Sequence, residues 1–224
     1  MTPAKRVGRT IGVLLLVHLV GGLTLPYIVL NAAIAPGFLA SAAAHAFQVR
    51  TTVLLLLASG AITLGIAITA WPVFRQYSER LALCFLALAI ANFSLQAVES
   101  GTVLSMLSLS QEYAGAGADD AAVQTVATAV ASARWWAHLT QLITVVSWLF
   151  VLYALLWRTA IVPRTLAALG MITTLLQIAG VPLRAFLGYE ILVEMGMPLA
   201  PVHTALALWL MVKGFDERRT GVAT

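Results

Sequence analysis

Leu81-Ala-Leu-Cys-Phe-Leu-Ala-Leu-Ala-Ile-Ala-Asn92-Phe-Ser-Leu-Gln96-Ala-Val-Glu99-Ser-Gly-Thr-Val-Leu-Ser-Met106-Leu-Ser-Leu109 is a long apolar run that carries a single charged residue. It exceeds the roughly 20 residues that a helix needs to cross a bilayer. A carboxylate about 18 residues into it costs roughly 2.5 to 3.5 kcal/mol on insertion scales, so it must face a protein interior, take a partner or hold its proton. Glu99 is therefore the leading functional candidate. Asn92, Gln96, Glu99 and Met106 recur at helical spacing and lay a polar stripe along one face. The blander alternative is a carboxylic acid that holds two helices together.

Outward from this run the same composition continues. The chain is 61% hydrophobic and 10% charged, with a mean hydropathy of +0.94, which excludes an ordinary soluble domain. Apolar stretches at about 8–30, 51–74, 81–109, 135–157, 164–187 and 196–213 predict an all-α integral membrane bundle of six transmembrane helices in a single domain. The first stretch follows Lys5, Arg6 and Arg9 but is long and has no clear small-residue cleavage site, so it reads as a retained span. The lone Cys84 offers neither a disulfide framework nor a thiolate cluster. The basic residues lie at helix ends rather than in a patch, which argues against nucleic acid. With both termini on one side, ten basic residues gather there and only Arg50, Arg134 and Arg184 fall opposite. The positive-inside rule then makes both termini cytoplasmic.

The connections carry further signals. Gly21, Gly22 and Pro26 should loosen the far end of the first span. Residues 31–47 are too apolar for an exposed loop and predict an interfacial or re-entrant segment, a lid over a cavity. Asp119 or Asp120 can cap a helix starting at Ala121, and the small residues from there to Ala133 extend the fourth span outward. Pro163 suits the start of the fifth helix, and Pro198 and Pro201 mark the start of the sixth. No internal repeat is visible.

With this orientation the polar residues converge on the outer half of the bundle. Arg50 opens the second helix, Arg134 and His138 the fourth; Arg184 closes the fifth, His203 follows the start of the sixth, and Glu190 and Glu194 lie between those two. His138, Gln141 and Trp148 share a face, as do Gln177 and Arg184. Each arginine has two readings, a substrate ligand or a side chain that snorkels or pairs with Glu190 or Glu194. Phe93, Trp148, Tyr153 and Phe186 are candidates for a cavity lining whose π faces could stabilise a cation. No His pair has metal-site spacing and no nucleotide or hydrolase motif is present, so neither metal nor cofactor is called for.

Several strings resemble a bacterial multi-span family known only as a domain of unknown function: Arg9-Thr-Ile-Gly-Val-Leu-Leu-Leu, Phe47-Gln-Val-Arg50, Gln96-Ala-Val-Glu99, Val162-Pro-Arg-Thr-Leu-Ala-Ala-Leu-Gly170 and Ala207-Leu-Trp-Leu-Met-Val-Lys-Gly214. The likeness covers nearly the whole chain and implies a bacterial inner-membrane location. Members of that family often place Arg three residues before the acid, where this chain has Gln96. That departure removes the acid's usual cationic neighbour and favours its neutral form. In plan rather than in motif, the chain is also similar to small integral membrane terpene cyclases. That similarity implies a carboxylic acid that protonates an alkene or epoxide of a prenylated substrate, aromatic faces that shepherd the carbocation, and a base that removes the last proton.

The leading expectation is thus an enzyme for a lipid-soluble, isoprenoid substrate. Glu99 is its acid, Glu190 or Glu194 a second acid or base, and His138 or His203 the proton acceptor; Asn92, Phe93, Gln96, Gln141, Trp148, Gln177, Arg50, Arg134, Arg184 and Phe186 contact substrate. The competing expectations are a lipid binder or transporter in which the arginines cradle an anionic headgroup, and a structural or sensor subunit. Membrane lipid is a partner in every case.

Overall fold

A computed structural model gives the structure of residues 3–31, 37–116 and 121–216. Among these residues all regular structure is helical. Helix α1 is Pro3–Thr24 and runs on through a widened π-turn, Leu25–Leu30. A short helix, α2 (Phe38–Ser41), and a tight turn lead into α3 (Ala46–Phe74). Then come α4 (Glu79–Ala116), α5 (Ala121–Thr159), α6 (Arg164–Leu187), the short α7 (Leu192–Gly196) and α8 (Leu199–Lys213). Six segments are long and apolar enough to cross a membrane: Pro3–Leu30, Ala43–Phe74, Glu79–Ala114, Ala122–Thr159, Arg164–Leu187 and Leu192–Lys213. The expected spans are all present, and the fourth begins well before residue 135. Asp119, Asp120, Arg218, Arg219 and residues 32–36 lie outside the described residues.

Local chemistry explains the boundaries. Pro26 has no N–H for the helical ladder and crowds the carbonyl one turn back, so the chain widens there and the Asn31 N–H reaches back to the Pro26 carbonyl. Ser78 accepts from the Leu81 N–H at 3.4 Å and so caps the start of α4. Pro163, with an extended ψ of 125°, precedes α6, and Gly188, at φ 73°, ends it in the left-handed conformation that glycine tolerates.

The chain packs as two compact units. The first comprises residues 1–19, 62–92 and 142–224, and its core joins Ile11 and Leu15 of α1 to Phe74, Phe85, Leu152, Leu155, Leu206 and Leu210. Here α1 and α8 meet backbone to backbone: a Cβ on Gly12 would stand 2.7 Å from the Met211 nitrogen, and Arg9 donates to the Val212 carbonyl at 2.9 Å.

The second unit comprises residues 20–61 and 93–141, with Leu30, Phe38, Leu39, Val49, Val53, Leu56, Val103, Met106 and Leu107 in its core. Met106, expected on the polar stripe, belongs to this apolar core. The described part of the 31–47 connection is folded into it. Ser110 donates to the Leu39 carbonyl and accepts from the Ala43 N–H, each at 2.8 Å, and Gln48 donates to the Val29 carbonyl at 2.8 Å. Polar side chains of α3 and α4 thus satisfy the backbone groups that the non-α turns leave open.

Candidate functional site

Glu99 lies on α4 inside the second unit and is 3% exposed. Its surroundings come from three elements. One carboxylate oxygen lies 2.9 Å from His138 Nδ1 and 3.8 Å from an Arg134 terminal nitrogen, both on α5. The other accepts from Gln96 Nε2 at 3.4 Å, one turn away on α4. Gln96 can pack there because α3 offers Gly60, where a Cβ would come within 3.3 Å of Gln96 Cγ and 3.2 Å of Phe93 Cδ2. The Thr102 hydroxyl binds the Glu99 backbone carbonyl at 2.7 Å.

The expectation of an acid without a cationic neighbour is corrected by this geometry. Gln96 does leave Glu99 without a cation on its own helix, but α5 supplies Arg134 and His138 from across the sequence. A buried carboxylate with two such partners is an ion-pair site rather than a lone acid. Arg134 is also not at the opening of its helix, since α5 begins thirteen residues earlier at Ala121.

The histidine is framed by aromatic rings. Tyr27, carried on the π-turn, meets the His138 ring edge-on with centroids 6.3 Å apart, and Trp135 lies tilted at 6.5 Å. With Nδ1 engaged by Glu99, His138 Nε2 has no hydrogen-bond partner among the described residues, and the side chain stays 12% exposed. Arg134 Nε is buried without a partner. Such an arrangement can hold a proton on the imidazole, stabilise its charge with the carboxylate, and present Nε2 to a reactant.

Other expected site residues fall in the first unit. Asn92 is buried and donates to Thr63 at 3.1 Å. His203 is buried, with Nδ1 3.0 Å from the Tyr153 hydroxyl, and Gly170 provides the gap that the Tyr153 ring fills. Trp148 stacks on Phe85 at 5.1 Å and meets His18 edge-on at 5.9 Å. These are core contacts. Gln177 packs at Gly196, where a Cβ would stand 3.1 Å from its amide nitrogen.

At the edge of this unit the structure departs from the expected site. Glu190 is 82% exposed and pairs with Arg184 at 2.8 Å, the pairing alternative, while Glu194 is exposed on α7. Phe186, expected to line a cavity, is 80% exposed; it faces away from the helices packed on α6, as a lipid-facing side chain would. In the second unit Arg50 is exposed, Phe93 is half-buried and Gln141 is buried. Tyr27 and Gly60 were not anticipated. The Pro26 signal marked a loosened turn, but nothing in the sequence indicated which ring that turn would present.

Six apolar spans and a buried acid with charged partners define the class, a multi-span helical membrane protein. The chain belongs to the family described as Domain of unknown function (DUF4386), which it matches over residues 10–214. No curated protein and no solved structure matches it.

Proposed function

We propose that the protein is an integral membrane enzyme that moves a proton onto or off a lipid-soluble substrate, with His138 and Glu99 as the proton-handling pair. The observation that carries this reading is the part-buried 2.9 Å contact between Glu99 and His138 Nδ1, which leaves Nε2 open. The carboxylate fixes the ring and stabilises the imidazolium. Arg134, 3.8 Å from the same oxygen, offsets the carboxylate's charge.

Within this class we favour protonation-initiated cyclisation of a prenylated epoxide. A carboxyl group paired with Arg and His is a weak acid for an unactivated alkene, whereas an epoxide oxygen has a lone pair to receive the proton. The proton passes from Nε2 to that oxygen, the C–O bond breaks as the neighbouring alkene electrons form the new C–C bond, and the carbocation releases a proton to a base. Atoms are conserved, so the product is an isomer. The segregation of basic residues supports cytoplasmic termini.

The test is incubation of purified protein in detergent with prenylated epoxides, followed by chromatography and NMR, since mass does not change. Glu99→Gln keeps the size of the side chain but cannot hold the imidazolium charge, and should lose roughly 10² to 10⁴ in turnover. A folded Glu99→Gln protein with wild-type turnover would remove the pair from the chemistry.

A further inference from the structure

The guanidinium of Arg134 makes no hydrogen bond to any described residue; its one close partner is the Glu99 carboxylate at 3.8 Å, too long for a hydrogen bond. Nε is wholly buried, and the side chain as a whole is only 18% exposed. A buried guanidinium N–H left unsatisfied is costly unless an acceptor occupies it, and the planar fork around it matches an oxyanion. His138 Nε2, four residues along the same face of α5, is open as well.

Charge narrows the acceptor. Arg134 is a permanent cation, and the one carboxylate beside it among the described residues, Glu99, already engages His138 and Gln96 through its oxygens. An anionic oxygen is the acceptor that suits its unfilled donors best. The rim narrows it again: Tyr27 and Trp135, the rings flanking His138, are 50% and 37% exposed. Trp and Tyr beside a cation are the side chains that meet amphiphiles at headgroup level.

We propose that Arg134 forms an oxyanion subsite for an amphiphile, so that the molecule entering this site is a lipid with one anionic oxygen head, a phosphate or carboxylate. The head sits on the Arg134 fork, which leaves His138 Nε2 to the reacting group, and the apolar tail passes along Tyr27 and Trp135. This rests on the cluster being a substrate site, and it adds the substrate's class: an acidic head next to the reacting group, with Arg134 positioning it. Arg50 and Arg184 take no part, since Arg50 is exposed and Arg184 is committed to Glu190.

Calorimetric titration of the purified full chain in an uncharged detergent tests it, with dodecyl phosphate, dodecanol and inorganic phosphate as probes. Dodecyl phosphate should bind saturably, at least about tenfold more tightly than either of the others. Arg134→Gln should weaken it by about tenfold or more, and Arg134→Lys, which keeps the charge but loses the fork, should fall between. Equal affinity for dodecanol would show that no anion is selected, and equal affinity for inorganic phosphate that no amphiphile is; either overturns the proposal, as does an Arg134→Gln protein with wild-type affinity. If that variant does not fold, the ranking of the three probes on the wild type still decides. Binding is read without turnover, so the outcomes separate. Glu99-dependent turnover without anion selectivity sinks only this proposal; anion selectivity without any turnover sinks only the enzymatic one.

Discussion

At the scale of single residues, the site and the surface make opposite demands on charge. Glu99 is buried and keeps company with His138, Arg134 and Gln96, so removing one member strands the others in a medium that cannot solvate them. Arg184 and Glu190 form a closer ion pair, but Glu190 is 82% exposed, and water competes for both charges. We therefore expect Arg184→Gln to lower detergent stability by less than about 1 kcal/mol and to leave substrate affinity unchanged. Thermal denaturation and a binding titration on the same preparation check this; a rise in apparent KM would return Arg184 to the site. The sequence made Glu99 conspicuous because an acid in an apolar run is costly wherever the helix turns. It could not tell Arg134 from Arg184, because both stand at the limits of apolar stretches in the sequence and only packing decides which one meets a buried carboxylate.

At the scale of elements, several of the described turns between helices are held by a polar side chain or a residue of special backbone freedom. The α3–α4 turn carries Tyr77, whose phenol is raised above the ordinary tyrosine range by burial and then by the carboxylate of Asp216, just past α8. In the unfolded chain this phenol ionises at about pH 10, before it does so in the fold. The unfolded state then binds fewer protons than the folded one, so stability is intact below that pH and falls as pH rises through the folded value. Tyr77→Phe should flatten this alkaline decline, as followed by phenolate absorbance and denaturation midpoints between pH 9 and 12; identical slopes would show that the fold does not raise the Tyr77 phenol. The π-turn of α1 was legible as a weak point because Pro26 cannot join the ladder. That its widening carries Tyr27 to His138 was not, since the ring's direction depends on how many residues the turn absorbs.

At the scale of the whole molecule, α4 crosses once, so its two ends must lie on opposite sides of the membrane. Single cysteines at Gln76 and Glu112, in a background where Cys84 is replaced, should react with an impermeant thiol reagent from opposite faces, Glu112 from outside intact cells. Labelling of Gln76 from outside would reverse the orientation. The sequence by itself determined the six spans, their approximate limits and the polar face of α4, because bilayer thickness sets a minimum apolar length and helical periodicity assigns residues to faces. Tertiary structure alone decided that Arg134 and His138 meet Glu99, and that Tyr153, fifty residues away in the chain, meets His203. Periodicity tells which residues share one helix face. The rotation of each helix about its own axis, which brings two such faces together, is set by side-chain packing such as Gln96 against Gly60 and Tyr153 against Gly170, and no local pattern encodes it.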